Sequence, residues 1–151
     1  MNISKKGKYA VEAMLYIAYF SGQGPLRVKV VAQALKVSEK YLEQILFLLR
    51  KKQLVETVRG AKGGYLLAKS SRDISIGDII RSVEKDFIPV PCIKGEKACT
   101  YGIRESCSTR KLWKRLGKVL DNTVDNMNLE DLIQEYRLKL IKHYGEVDYY
   151  L

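Results

Sequence analysis

"YLEQILFLLRKKQLVETVRGAKGGYLLAK", residues 41–69, changes its apolar period midway. In the first half, Leu42, Ile45, Leu46 and Leu49 recur at three and four, the spacing of a helix with one buried face. In the second half, Leu54 to Val58 reads as a short strand and Tyr65 to Leu67 as another. Between them lie Gly60, Gly63 and Gly64, and glycine tolerates the positive φ that hairpin loops demand. Just upstream, Ser38 is placed to cap the helix and Glu39 to sit at its positive end. Residues 27–36, "RVKVVAQALK", predict a shorter helix with Val30, Val31, Ala34 and Leu35 facing inward. Two short helices joined by a tight turn form a helix-turn-helix signature, and a hairpin directly after the second helix is a wing. Arg59 and Lys62 fall at its tip, and a guanidinium on a narrow tip can enter the minor groove of a duplex.

Working outward, residues 5–20 predict an amphipathic helix with Ala10, Ala13, Met14, Ile17 and Ala18 on one stripe; "SGQGP" at 21–25 ends it. Glu12 interrupts this apolar run, which is too short for a membrane span, and the start is read as part of a folded domain rather than a leader. Residues 73–86 predict a helix packed through Ile76, Ile79, Ile80 and Val83. From residue 108 a long helix carries Leu112, Leu116, Val119, Leu120, Thr123 and Met127 on one stripe. Such a stripe must bury itself; a second copy of the chain is its natural partner, and docking on its own winged helix is the alternative. Asn128 is placed to cap a last helix, and residues 146–151 show no clear role. The expected organisation is a winged helix-turn-helix domain over 1–86, a cysteine loop over 87–108, and a dimerisation helix with a C-terminal helix over 109–145. The fold class is mainly α with a small β-hairpin wing.

Charge points the same way. The 151 residues carry a net +10, and all of it lies in the first half. Residues 1–72 hold 14 Lys and Arg against 4 Asp and Glu, whereas residues 73–151 hold 13 of each. A surplus confined to the half with the helix-turn-helix favours a polyanionic partner, double-stranded DNA. No nucleophile–base pair, phosphate-binding glycine loop or carboxylate dyad stands in a supporting context, so an enzyme is not expected. A winged helix that docks to a partner protein is the alternative binding role.

Taken together, "SKKGKYAVEAMLYIA", the stretch from Tyr41 to Lys69, three cysteines after "IGDIIRSVE", and "LW" beyond the last of them resemble the IscR/NsrR-type winged-helix transcription regulators. The likeness runs from about residue 1 to residue 135 in one order. It implies a homodimer on a palindromic operator, expected to act as a repressor, and in many members an iron–sulfur cluster on the three cysteines; the absence of a long apolar segment makes the cytoplasm the expected location. Carried over by position, Lys40, Glu43 and Gln44 stand where base edges are read. Gln44 suits adenine and Lys40 guanine or a phosphate, while Glu43 is repelled by phosphates unless it accepts from cytosine, so it tunes specificity more than affinity. Ser38, Tyr41, Arg50, Lys51 and Lys52 are the expected backbone contacts, and Arg59 the minor-groove one. No membrane or small-molecule substrate is implied.

The thiols are Cys92, Cys99 and Cys107, within sixteen residues and without others. In a reducing cytoplasm three cysteines make a poor disulfide framework. Thiolates bind soft or borderline metals. Cys-x6-Cys-x7-Cys is too wide for paired zinc knuckles and suits a loop around a larger object, a 2Fe–2S or 4Fe–4S cluster. The fourth ligand departs from the family's patterns. IscR-like members use a histidine three residues after the last cysteine, where this chain has Arg110; NsrR-like members use a carboxylate where it has Lys8. Glu12, one turn beyond Lys8, is the candidate fourth ligand. Zinc held with Glu12 or His143, a metal-free thiol switch, and buried structural thiols stay open beside the cluster.

Overall fold

The computed structural model describes residues 3–84, 87, 90, 93 and 107–144. The order is α1 (Lys5–Tyr19), α2 (Val28–Leu35), α3 (Glu39–Lys51), β1 (Val55–Val58), β2 (Gly64–Leu67), α4 (Ile76–Val83), α5 (Arg110–Asp125) and α6 (Leu129–Tyr144). Helix α1 lies at the centre, against α2, α3, β2, α4 and α6. Its stripe Ala10, Ala13, Met14, Ile17 and Ala18 is buried as the spacing predicts, and so are Leu42, Ile45, Leu46 and Leu49 of α3. Three of the five α1 positions are alanine, so neighbouring backbones approach closely. Each fully buried Leu, Ile or Met contributes about 1.5–3 kcal/mol.

Helix α2 departs from the expected face. Val31 and Ala32 are buried, while Val30 is 42% exposed and Ala34 is also outside. Eight residues make little more than two turns, too few for periodicity to fix the inward direction. Lys36 then ends α2 at φ 54, and its N–H bonds back to Ala32 and Gln33. This left-handed residue turns the chain into α3, at a strain of about 1 kcal/mol for a non-glycine residue. Ser38 caps α3 by accepting from the Tyr41 N–H at 3.2 Å.

Beyond the hairpin, the fourth helix starts later than expected. Residues Ser71–Asp73 form a 3-10 turn, and Ser75 and Asp78 close a capping box on α4. Asn128 and Asp131 likewise exchange N–H bonds with each other's side chains at 3.1 and 2.9 Å, so Asn128 starts α6 as predicted. Leu129 and Ile133 of α6 enter the α1-centred core, and residues 74–76 pair with 127–129. Helix α6 is thus docked on the winged helix. Helix α5 behaves differently: Gly117 is its only buried residue, and Leu112, Leu116 and Val119 are exposed. Arg81 ties it to α4 through Asp121 at 3.6 Å and through Asp125.

The hairpin is antiparallel, with Val55 opposite Leu67 and Val58 opposite Gly64. Outside the strands, Leu26 pairs with Tyr65 through N–H···O bonds of 3.0 and 2.8 Å. A Cβ at Gly64 would overlap the Leu26 carbonyl, a backbone atom that cannot step aside. Gly64→Ala is therefore expected to break this pairing and lower stability by about 2 kcal/mol. Thermal unfolding, with amide exchange at Leu26 and Tyr65, measures it.

Candidate functional site

Helix α3 divides its faces cleanly. Opposite its buried stripe, Lys40, Glu43, Gln44 and Phe47 fall at i, i+3, i+4 and i+7, and all four are exposed. They border an open groove that Arg50, Lys6 of α1 and Tyr65 of β2 complete. Lys6, Lys40 and Arg50 outweigh Glu43, so the groove is net positive. Lys40, Glu43, Gln44 and Arg50, all named by sequence, are thus brought together. Arg50 also donates to Thr57 Oγ1 at 3.4 Å, which joins the end of α3 to the hairpin.

The other expected contacts surround this groove. Ser38 is exposed; its oxygen accepts from Tyr41, leaving its own O–H free to donate. Tyr41 is half-buried, edge-on to Tyr9 with centroids 6.0 Å apart. Lys51 lies over the Phe47 ring at 5.4 Å, and Lys52 closes the helix. Arg59 and Lys62 are exposed at the turn between β1 and β2. The Arg27 guanidinium donates to the Ala61 carbonyl in that turn.

Three residues of this face escaped the sequence reading. Phe47, 50% exposed, sits in the apolar run "ILFLL", yet the helical period already places it off the buried stripe. Lys6 belongs to a basic start whose neighbour in space, α3, is more than thirty residues away. Arg27 reaches a turn 34 residues on, and no local pattern announces that.

The thiol region is described only at its end. Cys92 and Cys99 lie outside the described residues, with most of the loop predicted for 87–108 and the His143 side chain. Cys107 is exposed, with its Sγ 3.4 Å from Thr109 Oγ1. The Thr109 hydroxyl holds the thiol below its ordinary pKa against a smaller desolvation effect; the N–H groups of Thr109 and Arg110 and the Arg110 charge assist. Arg110 thus favours the thiolate, the form that ligates metals and reacts with oxidants. Glu12 is half-exposed and 3.6 Å from Lys8 Nζ. Among the described residues no three His, Cys, Asp or Glu side chains gather as a metal site.

A reading helix with a braced, basic hairpin beside it defines a winged helix-turn-helix DNA-binding regulator. Residues 3–135 match the Rrf2 family, described as iron-dependent transcriptional regulators, and the chain belongs to that family. It is 38% identical over 133 residues to the HTH-type transcriptional regulator IscR of Pectobacterium carotovorum subsp. carotovorum (strain PC1), covering 88% of this chain and 79% of that one. Among solved structures it resembles T. potens IscR, with a TM-score of 0.73 and 36% identity over 90% of this chain and 88% of that one. It equally resembles CymR (YrzC), the global cysteine regulator of B. subtilis, with a TM-score of 0.76 and 36% identity over 89% and 98%. Among the described residues no helix is long and apolar enough to cross a membrane.

With Cys92 and Cys99 changed to serine, Thr109→Val is expected to raise the Cys107 pKa and slow its alkylation at neutral pH. The rate of iodoacetamide labelling against pH measures this: its midpoint moves up in the valine variant.

Proposed function

We propose that this regulator is a homodimeric, cytoplasmic repressor whose operator binding is controlled by an iron–sulfur cluster on Cys92, Cys99 and Cys107, with Glu12 as fourth ligand. One observation carries the reading. Cys107 stands three residues before α5, and α5 offers Leu112, Leu116 and Val119 to solvent. Whatever holds that thiol acts directly on the helix available for pairing with a second copy. The one described cysteine supports the reading: Cys107 is exposed and favoured as thiolate, the form that ligates metals. When bound, a cluster supplies a labile, redox-active centre.

The chain's own residues then read the duplex. Gln44 pairs with adenine, Lys40 with guanine or a phosphate, and Glu43 accepts from cytosine and repels other arrangements. Glu43 thereby tunes specificity more than affinity. Ser38, through its free O–H, and Tyr41, Arg50, Lys51 and Lys52 hold the phosphate backbone, while Arg59, with Lys62 beside it at the wing tip, enters the minor groove. Arg59→Ala is expected to weaken binding to a palindromic operator about tenfold and to reduce the slope of log affinity against log salt by about 0.9. Fluorescence anisotropy over a salt series measures both. Wild-type binding no tighter than to random duplex defeats the reading.

The cluster is tested by anaerobic purification with a visible spectrum and iron, sulfide and zinc assays, on wild type and Glu12→Ala. Brown protein containing iron and sulfide is expected, with colour lost in Glu12→Ala. Colourless protein with stoichiometric zinc, or without metal and with three reactive thiols, overturns it. The metal-free outcome is the second reading, a thiol-controlled regulator. The exposed Cys107, favoured as thiolate, and the likeness to a CymR from Staphylococcus aureus solved in an oxidized form favour that reading.

A further inference from the structure

We propose that the first turn of α1 is a third element of the DNA interface, with Lys6 as its phosphate contact and Glu84 as the residue that positions it. This rests on the DNA-reading role of α3 argued above. Lys6 is half-buried in the wall of the groove that Lys40, Glu43, Gln44 and Arg50 line. Among the described residues it forms no ion pair. A duplex seated on α3 brings its backbone past this ammonium, and phosphate is the counter-charge it meets there.

The turn that carries Lys6 is fixed from eighty residues away. The Ser4 N–H donates to Glu84 Oε1 at 3.0 Å and the Ser4 hydroxyl donates to the same oxygen at 2.5 Å. Ser4 Oγ in turn accepts from the Gly7 N–H at 3.2 Å. Gly7 leaves space for this contact: a Cβ there would lie 2.5 Å from Glu84 Oε1 and push the carboxylate aside. The helix start does not need Glu84 as its cap, since Ser4 already satisfies Gly7 and water can reach the Ser4 amide. What the carboxylate adds is a fixed position. Glu84 immediately follows α4, so these bonds join the end of that helix to the start of α1.

The test uses the full chain and a duplex that the wild type selects from a randomised library. Anisotropy over a salt series compares wild type, Lys6→Ala, Glu84→Ala, Glu84→Gln and the Lys6→Ala/Glu84→Ala double variant, each also melted thermally. Lys6→Ala is expected to weaken binding about fivefold at physiological salt and to reduce the salt slope by about 0.9. Glu84→Ala reproduces both effects, and Glu84→Gln restores most of the binding because its amide oxygen still accepts from Ser4. The double variant binds no more weakly than either single one. An unchanged slope in Lys6→Ala overturns the contact. Additive losses, or a lower Tm in Glu84→Ala with the wild-type slope, overturn the positioning role and leave Glu84 a helix cap. Failure of the wild type to prefer any duplex defeats the DNA reading and this proposal together; selective wild-type binding with unaffected variants defeats this proposal alone.

Discussion

The buried face of α1 is the constraint on which the remaining elements depend. Ala10, Ala13, Met14, Ile17 and Ala18 are each at most 5% exposed, and α2, α3, α4 and α6 all pack against the helix that carries them. The surface ion pairs act on another scale. Arg81 with Asp121, and Lys8 with Glu12, join partly exposed groups, and such pairs contribute about 0–1 kcal/mol each. One buried leucine of α3 outweighs either. Position in this molecule is therefore set by apolar burial around α1, and charge is left available for partners. The basic first half is an expression of that division: little of its positive charge is used up in holding the chain together.

Much of this was legible in the sequence because it is periodic. The α1 and α3 stripes, the hairpin and the Asn128 cap each leave a local trace: a repeat at three and four, a run of glycines, or a polar residue before an apolar run. Val30 and Ala34 show where the trace fails. In a two-turn helix several faces are apolar enough, and contact with α1 decides among them. The Leu26–Tyr65 pairing, the Arg27–Ala61 bond and the Ser4–Glu84 bonds join residues far apart in the chain and follow no repeat. They could be found only in three dimensions.

The candidate site divides along the same line. The exposed positions of α3 follow from its buried ones by simple rotation about the helix, so Lys40, Glu43 and Gln44 could be named at once. Lys6 joins them only because α1 and α3 pack side by side. The thiols were visible as a cluster in the sequence, and the structure adds the setting of Cys107 alone. There the Thr109 hydroxyl lowers the thiol's pKa, and Arg110, unable to ligate, adds to that effect.

The pairing of Leu26 with Tyr65 makes the wing a three-legged support rather than a free two-stranded finger. Arg27, just before α2, fastens its tip, and Arg50, near the end of α3, holds β1 close to that tip through Thr57. The separation between α3 and the hairpin tip is thereby set inside each chain, like the jaws of a fixed-gap caliper. A duplex that meets this surface must conform to that gap through its own groove width. Bending and groove narrowing then become properties for which the rigid head selects, even at base pairs it never touches.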